Sequence, residues 1–560
     1  MIDATLPRFR TKWFAILGIA ALAMLMAIAC GGSASNDAAP DQQLRLRIAS
    51  DVSTFDPQLA VSAEEISVAK QLYRGLFTYD DNLNVVPAIA AELPTNDNGG
   101  ISTDGLTYTI RLRPDATWSD GQPLTANDFV YAFQRLFDPN AGAQGAYSGF
   151  YTAITGAAAA SIGEGSISDI GVSAPDEHTL VLKLDAVQPT LVTLLALWPA
   201  SPLRQDIIDQ YGDAWTEPGT LISNGPFVLA SYDPGIEIGL AANPAYWASD
   251  GPELQTLTYR IIPDDDAALL AYKNNEIDMT SIPLESAALY NGDAEQVRFG
   301  QMETMALQYN VGKAPFDNKL VRQAFSRAID RDTYVETLLS GIGVPAQGWL
   351  PPGLPGVSAD LGSDFGFDAN AAEQLLTSAG YANGDGFPDV ILLIPDDSAY
   401  QTVAEFVQEE LRQNLGIEIE IQSVESSTYG DLWYEGDFDL TLFDWFADYA
   451  DPENWLPQQF ATDGGFNVAG YSNSQVDDLL ARAATELDAA VRIQLYEDAH
   501  KLIIEDQAVS PIYHPERNYL VKNKVAGLDV TPLDAEPGDW FIVQVQIVGS
   551  GNAPPASDPQ

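Results

Sequence analysis

The densest run of chemistry-bearing side chains is Tyr434 to Trp455, reading YEGDFDLTLFDWFADYADPENW, in which carboxylates alternate with aromatic rings. Two such carboxylates could serve a glycosidase as general acid and base. The same run also reads as a strand with a capped turn, or as a ligand site. On the last reading a strand ends near Phe443, and Trp445, Phe446, Asp448 and Tyr449 follow on the connection, where α/β folds place their sites. Other catalytic signals are lacking. The three histidines, His178, His500 and His514, lie far apart without ligand-like spacing, and there is no Gly-rich phosphate loop, G-x-S-x-G elbow or H-E-x-x-H. Asp264-Asp265-Asp266 lacks the alternating ligands and mid-loop glycine of a calcium loop and reads as a helix N-terminus, where acids suit the dipole. No catalytic residue, cofactor or metal is expected.

The N-terminus fixes the compartment. Arg8, Arg10 and Lys12 precede an uncharged apolar run from Trp13 that ends in Ala27-Ile28-Ala29-Cys30, a pattern that resembles a bacterial lipobox. Residues 1–30 are therefore expected to be a signal peptide with lipid attached at Cys30, rather than an uncleaved span, for which the run is short. The several acyl chains of such a lipoprotein anchor it stably outside the cytoplasm. Residues 31–43 read as a flexible tether and 550–560 as a disordered tail. Cys30 is the only cysteine, so no intramolecular disulfide or cysteine metal site can form.

With 79 acidic and 27 basic residues, the chain has formal charge -52, and -54 once Asp3, Arg8, Arg10 and Lys12 leave with the signal segment. Nucleic acid is excluded as a partner, because both would be polyanions. The acids are scattered, as on a solvated surface.

Roughly five hundred residues remain for folding, too many for one core, so two or three domains are required. Alternation predicts strands at Leu44 to Ser50, Thr107 to Arg113, Thr179 to Leu184, Phe227 to Ala230, Leu257 to Ile262, Met305 to Asn310, Val390 to Leu393, Ile417 to Ile421 and Asp439 to Phe443. Helical spacing marks Glu64 to Leu76, Asp128 to Leu136, Asp265 to Asn274, Asn318 to Ile329, Ala369 to Ala379, Ser398 to Asn414, Ser474 to Ala484 and Leu487 to Glu505. Ser510 to Val521 reads as a strand returning to an earlier sheet. The pattern is α/β without a short internal repeat.

Several segments then resemble the peptide-binding branch of the bacterial extracellular solute-binding proteins. The most specific is Trp118-Ser119-Asp120-Gly121-Gln122-Pro123-Leu124-Thr125-Ala126-Asn127-Asp128-Phe129-Val130, after Tyr108-Thr109-Ile110-Arg111-Leu112-Arg113. Gln71-Leu72-Tyr73-Arg74-Gly75-Leu76, Ser223-Asn224-Gly225-Pro226-Phe227, Asn243-Pro244-Ala245-Tyr246-Trp247 and Val321-Arg322-Gln323-Ala324-Phe325 keep the same order. Thr125 and Asp128 also look like a helix cap and its first turn.

The resemblance implies a two-lobed periplasmic-binding-protein fold with an extra inserted domain and a hinged cleft. Lobe I would combine 44–73, 198–304 and 513–549, the inserted domain 74–197 and lobe II 305–512, with hinges near Thr304 to Asn310 and Ser510 to His514. It implies an oligopeptide ligand delivered to the membrane permease of an ABC importer by a monomeric receptor. Asp448, three residues after Trp445, would pair with the peptide's α-amine by a charge-assisted hydrogen bond. Phe446 and Ala447 would offer backbone groups, Val61, Ser62 and Ala63 an opposing strand segment, and Tyr147 a phenol near the peptide's N-terminus. Leu442 stands where one branch has an arginine for the ligand's carboxylate. An oligosaccharide receptor of the same fold, and an exported glycosidase, remain as alternatives.

Overall fold

The computed structural model describes residues 41–549 except 144, 250, 359 and 360. The signal segment with Cys30, the tether as far as residue 40 and the tail 550–560 lie outside the described residues. The last two tether positions belong to the fold. Gln43 pairs with Thr256, and the Gln42 amide bonds both N–H and C=O of Ile547.

The first strand, Gln43–Ile48, buries Leu44, Leu46 and Ile48 and turns Arg45 and Arg47 outward, as period-two patterning dictates. It pairs in parallel with Thr256–Ile261, and Glu237–Ala242 and Phe227–Asp233 continue the sheet antiparallel. Between the first strand and Phe227 the chain builds a separate antiparallel sheet from Thr107–Arg111, Thr179–Lys183 and Val172–Asp176. The helix Ala126–Phe137 covers it, and the Asp128 carboxylate accepts from Thr125 N–H at 2.7 Å, closing the expected cap. Asp264 likewise caps the helix Asp265–Lys273, accepting from Ala267 N–H at 2.7 Å.

A six-stranded sheet follows in the order Val344–Pro345, Val509–His514, Glu303–Tyr309, Leu440–Phe446, Ile391–Pro395, Glu420–Val424. Glu303–Tyr309 is antiparallel to both neighbours. Helices Lys319–Ala328, Ala369–Ser378 and Ser398–Leu415 bury Val321, Phe325, Leu376, Val407 and Leu411 against one face.

The segment Ser510 to Val521 is two strands, not one. Pro515, which has no N–H to give a ladder, ends Val509–His514, and Glu516–Val521 then joins a three-stranded sheet with Met279–Ser281 and Gln296–Gly300. The segments expected as hinges lie largely within strands. Thr304 to Tyr309 and Ser510 to His514 are held in paired strands, whereas the passages between sheets are Gln301-Met302 and Pro515. Gln301 N–H donates to Pro515 C=O at 2.9 Å and ties the two passages together.

Four of the segments that carried the resemblance meet in one polar knot. The Asn224 amide accepts from Arg74 N–H at 3.1 Å and donates to Arg74 C=O at 2.8 Å, and Gly225 N–H donates to Leu72 C=O at 2.8 Å. Ser119 N–H reaches Ser223 C=O at 2.7 Å, and the Asn243 amide donates to Gly225 C=O at 2.8 Å. Gly225 is required because an added Cβ would lie 2.5 Å from the carbonyl carbon of Leu72. The motif residues thus fasten together segments distant in sequence. No helix among the described residues is long and apolar enough to cross a membrane.

Candidate ligand-binding site

The strand Leu440–Phe446 runs past Phe443, so Trp445 and Phe446 are strand residues opposite Thr304 and Glu303 rather than part of a connection. Pairing with Thr304 and Glu303 carries the strand to that point. Trp445 packs edge-on against Phe466 with ring centroids 5.3 Å apart. Asp444 and Phe446 face the other side.

Asp448 lies just beyond the strand end. Its N–H donates to the Asn454 amide oxygen at 3.0 Å, and its carboxylate accepts from the Asn454 amide nitrogen at 3.0 Å. The Tyr147 hydroxyl, arriving on the short helix Ala146–Tyr151 of the inserted domain, donates to the same carboxylate. Two residues picked out separately in the sequence therefore meet. Burial pushes the Asp448 carboxyl above the usual range, opposed by the Asn454 and Tyr147 hydrogen bonds. Burial, together with the Asp448 charge, also raises the Tyr147 phenol. The carboxyl is held by neutral donors only, which leaves its charge uncompensated.

A second interaction fixes the loop that carries Asn454. Arg492, on the helix Ala489–Glu505, grips Asp451 through two bonds of 2.8 and 2.5 Å, both side chains being buried. This bidentate pair sets the turn Pro452–Asn454 and, through Asn454, the Asp448 carboxylate.

The backbone donors expected of this region are partly occupied. Ala447 N–H donates to Met302 C=O at 2.8 Å, so it has none to offer a ligand. That bond also places the neighbouring Glu303–Phe446 pair in the non-hydrogen-bonded register, which turns the Phe446 N–H and C=O toward the opposite edge. Ile391–Pro395 pairs with the strand only at Leu440 and Thr441, so the edge is open at Phe446. Val61 and Ser62 N–H groups donate to the Glu65 carboxylate at 2.9 and 3.2 Å, and Ser62 caps the helix Ala63–Leu72. That segment is therefore a helix entry whose uncommitted groups are the Val61 carbonyl and the Ala63 N–H. Leu442 is fully buried opposite Leu307 in the lobe II core.

Sequence reading missed Asn454, Glu303, Asp444 and Tyr400. Only Asp444 and Asn454 carried a local signal, lying within the acidic-aromatic run. His500 and His514, far apart in sequence, come close in space and are buried. His500 accepts from Trp349 N–H at 2.9 Å, and burial pushes it down to about 3.

Residues 84–467 match the bacterial extracellular solute-binding proteins, family 5 Middle. The chain belongs to this family. Among its relatives, the periplasmic oligopeptide-binding protein OppA of Escherichia coli (strain K12) is 30% identical over 510 residues, covering 90% of this chain and 92% of that protein. The fold also matches the unliganded open form of MppA, a periplasmic murein tripeptide binding protein, with a TM-score of 0.78 and 29% identity over 91% of this chain and 98% of that one. Listeria monocytogenes OppA bound to peptide superimposes with a TM-score of 0.70 and 26% identity, covering 90% and 99%. As a family 5 solute-binding protein, the chain has the two-lobed periplasmic-binding fold.

Proposed function

We propose that this chain is the oligopeptide receptor of an ABC importer, which captures peptides between its lobes and hands them to a membrane permease. The observation that carries this reading is Asp448. It is a largely buried carboxylate with neutral hydrogen-bond donors and no cationic partner among the described residues, near the strand edge at Phe446 that Ile391–Pro395 leaves unpaired. A peptide's α-amine supplies the missing charge, and its extended backbone supplies the missing strand, independently of side-chain sequence. Tyr147 would orient the carboxylate, and Trp445 would bound the site. Val61 and Ala63 remain candidates for the facing wall.

Lipid on Cys30 would keep this monomeric receptor at the outer face of a bacterial membrane, within reach of the permease. A calorimetric screen against mixed di- to pentapeptides and against cello-oligosaccharides tests the ligand class. Saturable heats with peptides alone are expected, whereas heats with sugars alone would overturn the reading. Glycoside turnover lost on mutating a carboxylate pair would assign the chain to catalysis instead.

A further inference from the structure

Beyond Asp448, the same strand end carries a second arrangement of carboxyl groups. Residues directly opposite in an antiparallel pair share a face, so Glu303 with Phe446, and Met305 with Asp444, extend the face on which Leu307, Leu440 and Leu442 form the core. Where that apolar face stops, Glu303 and Asp444 stand as neighbours. Asp444 accepts from the Tyr400 hydroxyl. The Glu303 carboxyl has no hydrogen-bond or ion-pair partner among the described residues, although protein surrounds it closely. Burial, with the neighbouring Asp444 charge, pushes it up to about 8. Arg517 faces it from Glu516–Val521 without forming an ion pair, its guanidinium engaging the Tyr519 hydroxyl at 3.3 Å. Tyr513 faces Glu303 from Val509–His514, while Tyr429 and Asp397 face Asp444.

We propose that Glu303 and Asp444 form a specificity pocket for a cationic side chain, lysine or arginine, of the peptide anchored at Asp448. The inference rests on the peptide-receptor reading and adds a ligand class to it. Three features favour an organic cation. The Glu303 carboxyl is only part-exposed and has no partner among the described residues, which a charged donor corrects. Tyr400 and Tyr513 stand beside the acids, and phenol rings attract an ammonium or guanidinium. No group of three metal-ligating side chains occurs among the described residues, so a metal ion finds too few ligands. Asp444 precedes Asp448 by four positions, about 13 Å of extended chain, so the pocket lies alongside the first few residues of a bound peptide.

The test uses the wild-type protein and free-amine tetrapeptides that are alanine except for one lysine, or one norleucine, at position 2, 3 or 4. Norleucine keeps the stem and drops the charge. At one position lysine should bind at least about tenfold tighter than norleucine, whereas arginine should follow lysine and glutamate should bind worst. Binding of that lysine peptide near pH 7 should release a proton, read as a dependence of the calorimetric enthalpy on buffer ionisation, because Glu303 enters the complex ionised. Glu303→Gln should abolish the proton release and most of the lysine preference over norleucine, and Asp444→Asn should narrow the preference. Equal binding of lysine and norleucine at all three positions would overturn the pocket while leaving the peptide reading intact. Failure of every tetrapeptide to bind would overturn both.

Discussion

Asp448 concentrates the chemistry of the site in one carboxyl whose charge is disfavoured by burial and supported only by an amide and a phenol. Removing one member of a buried charged pair costs about 2 to 5 kcal/mol. An N-acetylated peptide should therefore bind about thirtyfold or more weakly than its free-amine parent, given tenfold per 1.4 kcal/mol. Asp448→Asn should weaken the free-amine peptide to a similar extent, while C-terminal amidation should matter much less. Isothermal titration of the three peptides against both proteins measures this, and equal affinity of acetylated and free forms for the wild type would remove Asp448 as the amine anchor. The chain itself singles out this aspartate only weakly. Nothing local in the run Tyr434 to Trp455 separates it from the acids around it; family resemblance, and then Tyr147 arriving from the inserted domain, do so.

At the scale of elements, patterning was legible wherever an element has one buried face. The strands at Gln43–Ile48 and Thr107–Arg111 and the helix Ala126–Phe137 agree with expectation within a few residues. Elements whose buried face is short were not. The strand Glu237–Ala242 turns only Ile238 and Leu240 inward among glycine and alanine, and the helix Ser426–Tyr434 buries only Trp433. Ile417 and Ile419 are buried yet precede the strand Glu420–Val424, because apolar alternation reports burial and not pairing. The Glu303–Asp444 neighbourhood depends on a long-range register that no local period encodes. By contrast, the motif segments proved to be contacts between elements, and their importance is testable at Gly225. Gly225→Ala should lower stability by about 1–3 kcal/mol, since the new methyl must displace backbone around Leu72. Chemical denaturation measures it, and a midpoint unchanged from wild type would show that the knot yields freely.

For the whole molecule, buried titratable groups set the pH response. Burial raises Glu303 to about 8 and Glu536 to about 7, so the folded chain keeps protons there that an unfolded chain has released. Their contribution to stability is complete below the ordinary glutamate range and is lost as pH rises through 7 to 8. His500 and His514, pushed down by burial to about 3 and about 4, act oppositely, costing stability as pH falls below about 6.5. Melting temperature should therefore fall between about pH 7 and 8.5, where the histidines change little, and Glu303→Gln should flatten the slope. A melting temperature that rises over this interval would contradict the assignment. Ligand should also draw the lobes together, and small-angle scattering with saturating peptide should show a smaller radius of gyration; an unchanged profile would count against closure. If the lobes turn about these passages, the bond from Gln301 to Pro515 would shape that motion. Two passages pinned side by side define a line, and bodies joined along a line retain one easy rotation about it while sliding and twisting are resisted. The lobes should then open like a book on its spine, so that the gap at Asp448 widens in proportion to its distance from the spine while the passages themselves hardly move.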